Sequence, residues 1–371
     1  MDLSRIAAQF EIPGRLVAIH PTGRGNVNDT YMAVFRTTFS EERAIIQRIN
    51  RRVFSRPEWV MDNMRVVTDH VHQRLEKEAD ESDRIWQLPR VIPCKSSRRD
   101  FFVDDEGDYW RAITLIASAV SYETAQGAEH ALEAGTVLGQ FHRLISDLDP
   151  SQLHDTLPGF HVTPKYLAQY DETVKKKDAE KRLVASMEAR RLSNFVEARR
   201  SLADVLEKAR AKKKIHVRLI HGDPKVTNIM IDEFTGKGTS IVDLDTVKPG
   251  LVQYDFGDAL RSMCNPGGEE ADKMTQVYFD VDICESFVKG YMSRARDFLT
   301  EADRVYLYDS VRLIAFELGL RFFQDYLAGN VYFKVRYEEQ NLRRARVQFR
   351  LCESIEAREK MIRKVLDAHT G

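Results

Sequence analysis

The segment from Arg218 to Thr246 concentrates the residues able to do chemistry. It runs Arg-Leu-Ile-His-Gly-Asp-Pro-Lys-Val-Thr-Asn-Ile-Met-Ile-Asp and, after a turn, Ser-Ile-Val-Asp-Leu-Asp-Thr. Leu219 and Ile220 lead into His221-Gly222-Asp223. Pro224 ends any regular element, because it lacks an N–H and fixes φ. Asn228 follows five residues after Asp223, ahead of Ile229-Met230-Ile231. Thr235-Gly236-Lys237-Gly238 is turn-forming, and Thr239-Ser240-Ile241-Val242 closes on Asp243. Two short β-rich runs around a Gly-containing turn predict a hairpin, whose outer ends approach to about 5 Å. Asn228 and Asp243 should therefore be neighbours, with Asp223 on the loop before them. A carboxylate that orients a hydroxyl, beside an amide and a carboxylate that hold Mg2+ on nucleotide phosphates, is the equipment of metal-assisted phosphoryl transfer. Lys225, two residues after the expected base Asp223, can reach the travelling γ-phosphate. The same letters could also decorate an ordinary strand–loop–hairpin; the closing Asp243 favours the chemical reading.

The His-x-Asp-x-x-x-x-Asn layout followed by Asp resembles the catalytic loop and metal site of protein-kinase-like enzymes. Asp255-Phe256-Gly257 spells the metal-binding tripeptide of that group, but the hairpin puts Asp243 at the metal. Asp255 and Asp258 read instead as braces for the adjoining loop and helix.

The elements that must position these residues come in order. Residues 2–10 predict a short amphipathic helix, with Leu3, Ile6, Ala7 and Phe10 on one face. A strand over Val17–His20, a Gly23-Arg24-Gly25 turn and a strand through Thr30–Val34 build a phosphate-covering loop, in which backbone N–H groups approach a triphosphate closely. Gly23, Gly25, Asn28 and Thr30 are the ATP-binding candidates there, and Asn26 can add a side-chain donor. Arg43–Ile49 is the third strand; where kinases carry a phosphate-pairing Lys it has Gln47, uncharged but able to donate. Residues 57–77 predict a helix opened by Pro57, with Val60, Met64, Val67 and Val71 as its stripe. A Gln47–Asn63 contact is the expected substitute for the Lys–Glu pair, and Arg48 or Arg24 the expected source of positive charge. Phe101–Val103 and Tyr109–Ile116 form a hairpin leading into the linker Ala117–Val120, where Leu115 and Ile116 would meet adenine.

From Ala128 the pattern turns helical, with Ala131, Ala134, Val137, Leu138, Phe141 and Leu144 at spacings of three and four; His142 beside them reads as structural. Residues 165–214 are Lys-, Arg-, Glu- and Ala-rich, and their interleaved acids indicate solvated helices rather than a nucleic-acid patch. Residues 279–369 are almost all helical. Within the apolar face Leu313, Phe316, Leu320 and Phe323 sits Arg321, either salt-bridged or reaching into a pocket.

At 371 residues the chain can bury more than one core. Its 56 basic and 57 acidic residues nearly cancel, so no bulk charge draws it to nucleic acid or membrane. The four cysteines lack CxxC spacing, which argues for reduced thiols and against zinc. The N-terminus lacks a signal-peptide core, and no run of 18 apolar residues occurs. A cytoplasmic protein is expected. The predicted architecture is α+β: a two-lobed protein-kinase-like fold with a small β-rich N-lobe (1–120) and a large, mostly helical C-lobe (121–371).

Across almost its whole length the chain resembles the aminoglycoside phosphotransferase and choline kinase-like group of small-molecule kinases, and within it the N-acetylhexosamine 1-kinases. The resemblance rests on Gly23…Asn28-Asp29-Thr30-Tyr31, Ile46-Gln47…Asn50, Trp110-Arg111, Phe160-His161…Thr163-Pro164 and His221-Gly222-Asp223…Asn228. It continues through Asp243-Leu244-Asp245, Asp255–Asp258, Leu260-Arg261, Arg321-Phe322…Asp325 and Tyr332-Phe333. It implies transfer of phosphate from ATP, with Mg2+, to the anomeric hydroxyl of a small sugar, GlcNAc or GalNAc. By position, Asp223 is then the base, Asn228 and Asp243 hold Mg2+, and Arg321 and Tyr332, with Asn26 and Arg261, face the sugar. Gln47 fits this subgroup. Two departures bear on which sugar is used: Asn26 stands where His can occur, and Ser262 where an aromatic ring can line the pocket. The alternative is a kinase of the same fold acting on choline, another amino alcohol or an aminoglycoside.

Overall fold

The computed structural model describes residues 2–23, 27–78 and 84–370. Its N-terminal region contains helix α1 (Leu3–Ala7), strands β1 (Arg15–Pro21), β2 (Asp29–Arg36) and β3 (Glu41–Ile49), and helix α2 (Pro57–Lys77). Strands β4 (Val91–Ile92), β5 (Phe102–Val103), β6 (Tyr109–Thr114) and β7 (Ala119–Val120) follow. The antiparallel sheet runs β1-β2-β3-β6-β4, with β5 also on β6. Period-two alternation sorts its faces. Ala33, Phe35, Ala44, Ile46, Trp110 and Ala112 point to one side and pack under Ile6, Ala7 and Phe10. Thr30, Gln47 and Arg111 fall in one lateral row on the other, because β2–β3 pairs Thr30 with Gln47 and β3–β6 pairs Gln47 with Arg111.

Helix α2 has the predicted bounds. Pro57 occupies its first turn, where a missing N–H costs nothing. Its buried Val60, Met64, Val67 and Val71 are continuous with the core of the helical region.

The remaining elements are α3 (Ala128–Ile145), α4 (Thr163–Val174), α5 (Lys177–Ala185), α6 (Met187–Ala198) and α7 (Val205–Ala211). Strands β8 (Arg218–Ile220), β9 (Ile229–Asp232), β10 (Gly238–Ile241) and β11 (Lys248–Gly250) come next. Helices α8 (Val252–Met263), α9 (Val281–Ala295), α10 (Glu301–Val305), α11 (Leu307–Ala328), α12 (Gln340–Ala357) and α13 (Glu359–Thr370) complete the chain. The architecture is the expected kinase-like one, a β-sheet region followed by a mostly helical region. Among the described residues no helix is long and apolar enough to cross a membrane.

The predicted hairpin is β9–β10, with Ile229 opposite Ile241. The Val242 N–H donates to the Asn228 carbonyl at 2.9 Å, so Asn228 and Asp243 are neighbours. A third strand joins this small sheet: β7, from the linker, pairs with β9 through Ala119–Asp232 and Val120–Ile231.

Helices α3 and α9 cross at a contact that only glycine permits. A Cβ on Gly290 would lie 1.9 Å from the Leu132 carbonyl oxygen, and one on Gly135 2.0 Å from that of Phe287. Gly290→Ala should therefore force the helices apart and cost about 1–3 kcal/mol or more. A urea-unfolding midpoint equal to the parent's would show that the crossing is looser than described.

Candidate active site

Strand β8 delivers the chain to His221, which is fully buried. Asp255 on α8 straddles the turn that follows: one carboxylate oxygen accepts from the His221 N–H at 2.6 Å, the other from the Gly222 N–H at 2.8 Å. His142 adds a third bond to Asp255 at 2.8 Å and is itself held by the Tyr291 hydroxyl at 2.9 Å. Burial pushes the Asp255 carboxyl up, but His142, His221 and the loop N–H groups outweigh it and leave it below the usual range. Asp255 thus braces the loop, as its sequence context indicated, and His142 is structural.

The His221 ring donates from Nε2 to the Val242 carbonyl at 3.0 Å and accepts at Nδ1 from the Asp223 N–H at 3.3 Å. Burial lowers its proton affinity, consistent with a neutral ring. One imidazole therefore ties the loop to the end of the hairpin. Gly222 has φ +87°, and a Cβ there would meet the Thr246 carbonyl at 2.6 Å.

Asp223 emerges next, its Oδ2 2.5 Å from the Lys225 Nζ. Burial works against the Lys225 charge, but Asp223 and Asp243 outweigh it and raise its proton affinity, so it stays cationic. The Asn228 amide nitrogen donates to the Asp223 carbonyl at 2.8 Å, which leaves its oxygen as the group to offer a cation. Asp243 has φ +66° and is exposed. Its carboxyl is pushed up to about 6, first by the protein crowding out water and then by the neighbouring Asp245 charge, with Lys225 opposing. No group of three or more His, Cys, Asp or Glu side chains among the described residues is arranged to hold a metal. Mg2+ does not need one, since it keeps several waters and takes phosphate oxygens beside one or two carboxylates. An all-oxygen pair, with a carboxylate short of positive charge, fits that ion.

The nucleotide-side candidates divide. Gly23 has φ +76° at the end of β1. Gly25 and Asn26, with Arg24, lie outside the described residues. Asn28 is buried; its Nδ2 donates to Asp245 at 2.6 Å and its Oδ1 accepts from the Asn50 N–H at 3.0 Å. Thr30 accepts from Gln47 at 3.0 Å. Leu115 and Ile116 form the passage from β6 to β7.

The expected Gln47–Asn63 contact does not form. Asn63 is spent on the His154 N–H and on the His154 and Val247 carbonyls, at 2.8, 2.8 and 2.9 Å. Gln47 instead accepts from Arg111 at 2.7 and 2.9 Å. Arg111 in turn lies 2.5 Å from Asp245, both almost fully buried. Nor does Arg48 supply the charge: Asp29 and Asp108 pin it on the sheet at 2.5 and 2.8 Å. The cation beside Gln47 is Arg111, whose charge is matched by Asp245. Helical periodicity pointed to α2 for a partner, whereas the cross-strand register, which only the fold reveals, aligns Gln47 with Arg111.

On the acceptor side Arg261 is buried, and its guanidinium is spent on Asp258 at 2.8 Å and Glu269 at 2.9 Å. A buried guanidinium requires such partners, so Arg261 ties the C-terminal end of α8 to Glu269 in the segment that follows. Ser262 does not simply open room: its hydroxyl accepts from the Val226 N–H at 3.0 Å. Arg321 is different. It sits among the rings of Phe160, Tyr166 and Phe333, at 5.1, 5.0 and 5.5 Å. No carboxylate among the described residues forms an ion pair with it. Burial lowers its proton affinity, but Tyr166 and Glu317, with Tyr332 and Asp223, outweigh it and raise it overall. Burial also pushes the Tyr166 hydroxyl up to about 12, so it is a neutral donor. Tyr332 is largely exposed, on a loop whose Val331, Tyr332 and Phe333 N–H groups all donate to Asp325 at 2.8–3.0 Å.

Residues 46–291 match the family profile described as "Phosphotransferase enzyme family". Among solved structures the chain is similar to a microcompartment-associated aminopropanol kinase (17% identity, TM-score 0.59, 97% of each chain). It is also similar to an aminoglycoside phosphotransferase from Alicyclobacillus acidocaldarius (14%, 0.59, covering 99% of this chain and 97% of that one). A third is spectinomycin phosphotransferase in complex with ADP and spectinomycin (14%, 0.54, 94% of each). At these identities the likeness is one of fold.

Two outcomes follow from this geometry. Arg111→Met leaves Asp245 buried without its cation and should cost about 3–5 kcal/mol. Adding Asp245→Asn should then cost less than it does alone, in a denaturation double-mutant cycle; strict additivity would uncouple the two. Because Asp243 holds its proton below about pH 6, the Mg2+ concentration for half-maximal turnover should rise about tenfold per pH unit below that point. A flat Mg2+ requirement between pH 5 and 7 would remove Asp243 from the metal.

Proposed function

The chain belongs to the phosphotransferase enzyme family, and from that premise we propose that it transfers the γ-phosphoryl group of ATP to the anomeric hydroxyl of an N-acetylhexosamine, GlcNAc or GalNAc. The observation that carries the choice of acceptor is Arg321. It is a cation with no ion-pair partner among the described residues, caged by aromatic rings. Its neighbour Glu317 is already occupied by His161 and Thr163. Cationic acceptors such as amino alcohols or aminoglycosides would meet like charge there. A neutral ring with hydroxyls and an acetamido carbonyl offers acceptors to the guanidinium and an apolar face to Phe160 and Phe333.

In this reading Asp223 accepts a hydrogen bond from the 1-hydroxyl and aims the oxygen at phosphorus. The new bond is O–P, the bond broken joins the γ-phosphorus to its bridging oxygen, and the hydroxyl proton passes late to Asp223. No bond at the anomeric carbon is broken, so configuration is retained. Lys225 holds Asp223 and lies within reach of the transferred group. Asn228 and Asp243 would hold Mg2+, which when bound neutralises charge on the phosphates. Positioning and charge neutralisation carry most of the rate in such a loose transition state.

The test is ADP release with Mg2+ and ATP across GlcNAc, GalNAc, glucose, galactose, choline and kanamycin, with phosphorus NMR of the product. An anomeric phosphate from an N-acetylhexosamine is expected; turnover with choline or kanamycin alone would overturn the acceptor. Asp223→Asn should lower kcat by about 10²–10⁴-fold with little change in acceptor KM. Arg321→Ala should chiefly raise acceptor KM, and unchanged acceptor kinetics would make Arg321 a packing residue.

A further inference from the structure

His161 stands in the loop before α4 with φ +63°, a conformation that residues other than glycine keep only where their surroundings impose it. Its ring is buried and bonded at both ends. Nδ1 is 2.9 Å from a Glu317 carboxylate oxygen, and Nε2 is 2.8 Å from the Gly222 carbonyl. A carbonyl can only accept. The Glu317 carboxylate is likewise loaded as an acceptor, taking the Thr163 hydroxyl on its other oxygen at 2.6 Å. Against an ionised Glu317 both ring nitrogens donate, and an imidazole that donates twice is a cation.

The position of this ring gives the charge a purpose. Gly222 immediately precedes Asp223, while Glu317 lies one helical turn before Arg321 on α11. Phe160, which forms part of the Arg321 cage, has its ring centroid 3.9 Å from that of His161. We propose that His161 is a positioning residue, an imidazolium that fastens the acceptor-side helix α11 to the Gly222 carbonyl and so holds Asp223 in register with the Arg321 pocket. This assignment rests on the phosphotransferase reading above.

The groups facing the ring are consistent with the charge. Glu317 approaches from α11, and α8 contributes Asp258 and Tyr254, the latter stacked at 5.4 Å. The Tyr254 hydroxyl is engaged by Glu207 of α7, and Arg321 lies beyond Phe160. Burial alone would strip the proton, but Glu317 and then Asp258 outweigh it and raise the proton affinity of His161. Deprotonation at high pH would forfeit one of the two bonds.

The test uses the full chain labelled with 15N-histidine and read by long-range 15N–1H correlation. A doubly protonated His161 ring is expected at pH 7.5, becoming neutral there in Glu317→Gln; a neutral ring in the parent chain overturns the proposal. In turnover, His161→Gln should lower kcat about 10- to 100-fold, as a displaced reacting group does, with ATP KM unchanged. It should also erase the alkaline arm of the parent kcat–pH profile. If that variant does not fold, Glu317→Gln reads the same point by moving the arm toward neutral pH. A kcat and profile coinciding with the parent's, in either variant, overturns the positioning role. The charge of the ring is read without turnover, so inertness toward every acceptor would strike the acceptor assignment and not this one.

Discussion

Everything in the catalytic region hangs on one buried carboxylate, that of Asp255. An ionised side chain with no exposure is stable only when its lone pairs are filled. Asp255 fills them with the two successive backbone N–H groups of His221 and Gly222 and with His142. Those N–H groups lie beyond the end of β8 and would otherwise be buried without partners. The same contact therefore stabilises the carboxylate and fixes the turn from which Asp223 projects. His221 carries the constraint onward through Val242 to the hairpin that bears Asn228 and Asp243. A helix, a loop and a hairpin are thereby brought to one place.

A second buried charge pair joins the sheet to this centre. In place of a lysine on the third strand, the row Thr30–Gln47–Arg111 crosses the sheet and ends on Asp245. Asn28, at the base of the glycine-containing loop, meets the same carboxylate. Asp245 is two residues from Asp243, so β2, β3 and β6 are tied to the segment that carries the metal candidate. Gln47 thus joins a hydroxyl on β2 to a guanidinium on β6, and the guanidinium is matched by Asp245.

Much of this was legible in the sequence. Helix α2 announced itself through Pro57 and a clean apolar stripe, and the β9–β10 hairpin through two β-rich runs and a glycine turn. Asn228 and Asp243 come together because hairpin geometry leaves little freedom. The partner of Gln47 was missed because register between β3 and β6, separated by some sixty residues, leaves no periodic trace. Arg261 and Arg321 looked alike as single letters in helical segments. Their environments separate them, one clasped by Asp258 and Glu269, the other ringed by aromatics from α4, the loop before it and the segment after α11. Ser262 was read by its size, whereas its hydroxyl is what the fold uses. Asp245 and His161 entered only as letters of the resemblance, and no local pattern gave them or Glu317 a role, since each acts through residues distant in sequence.

The pairing of β7 with β9 determines where the molecule can flex. The linker does not hang free between two bodies: Ala119 and Val120 are woven into the catalytic hairpin's sheet, and the Glu233 N–H reaches back to the Ser118 carbonyl at 2.9 Å. Strand β6 ends at Thr114 on the other side. A pivot that leaves both sheets intact is confined to the few residues from Leu115 to Ala117, the stretch expected to meet adenine. Any turn about that pivot must break the Arg111–Asp245 and Asn28–Asp245 contacts that fasten the same strands to the hairpin, so the molecule's hinge and its latch lie at opposite ends of one sheet.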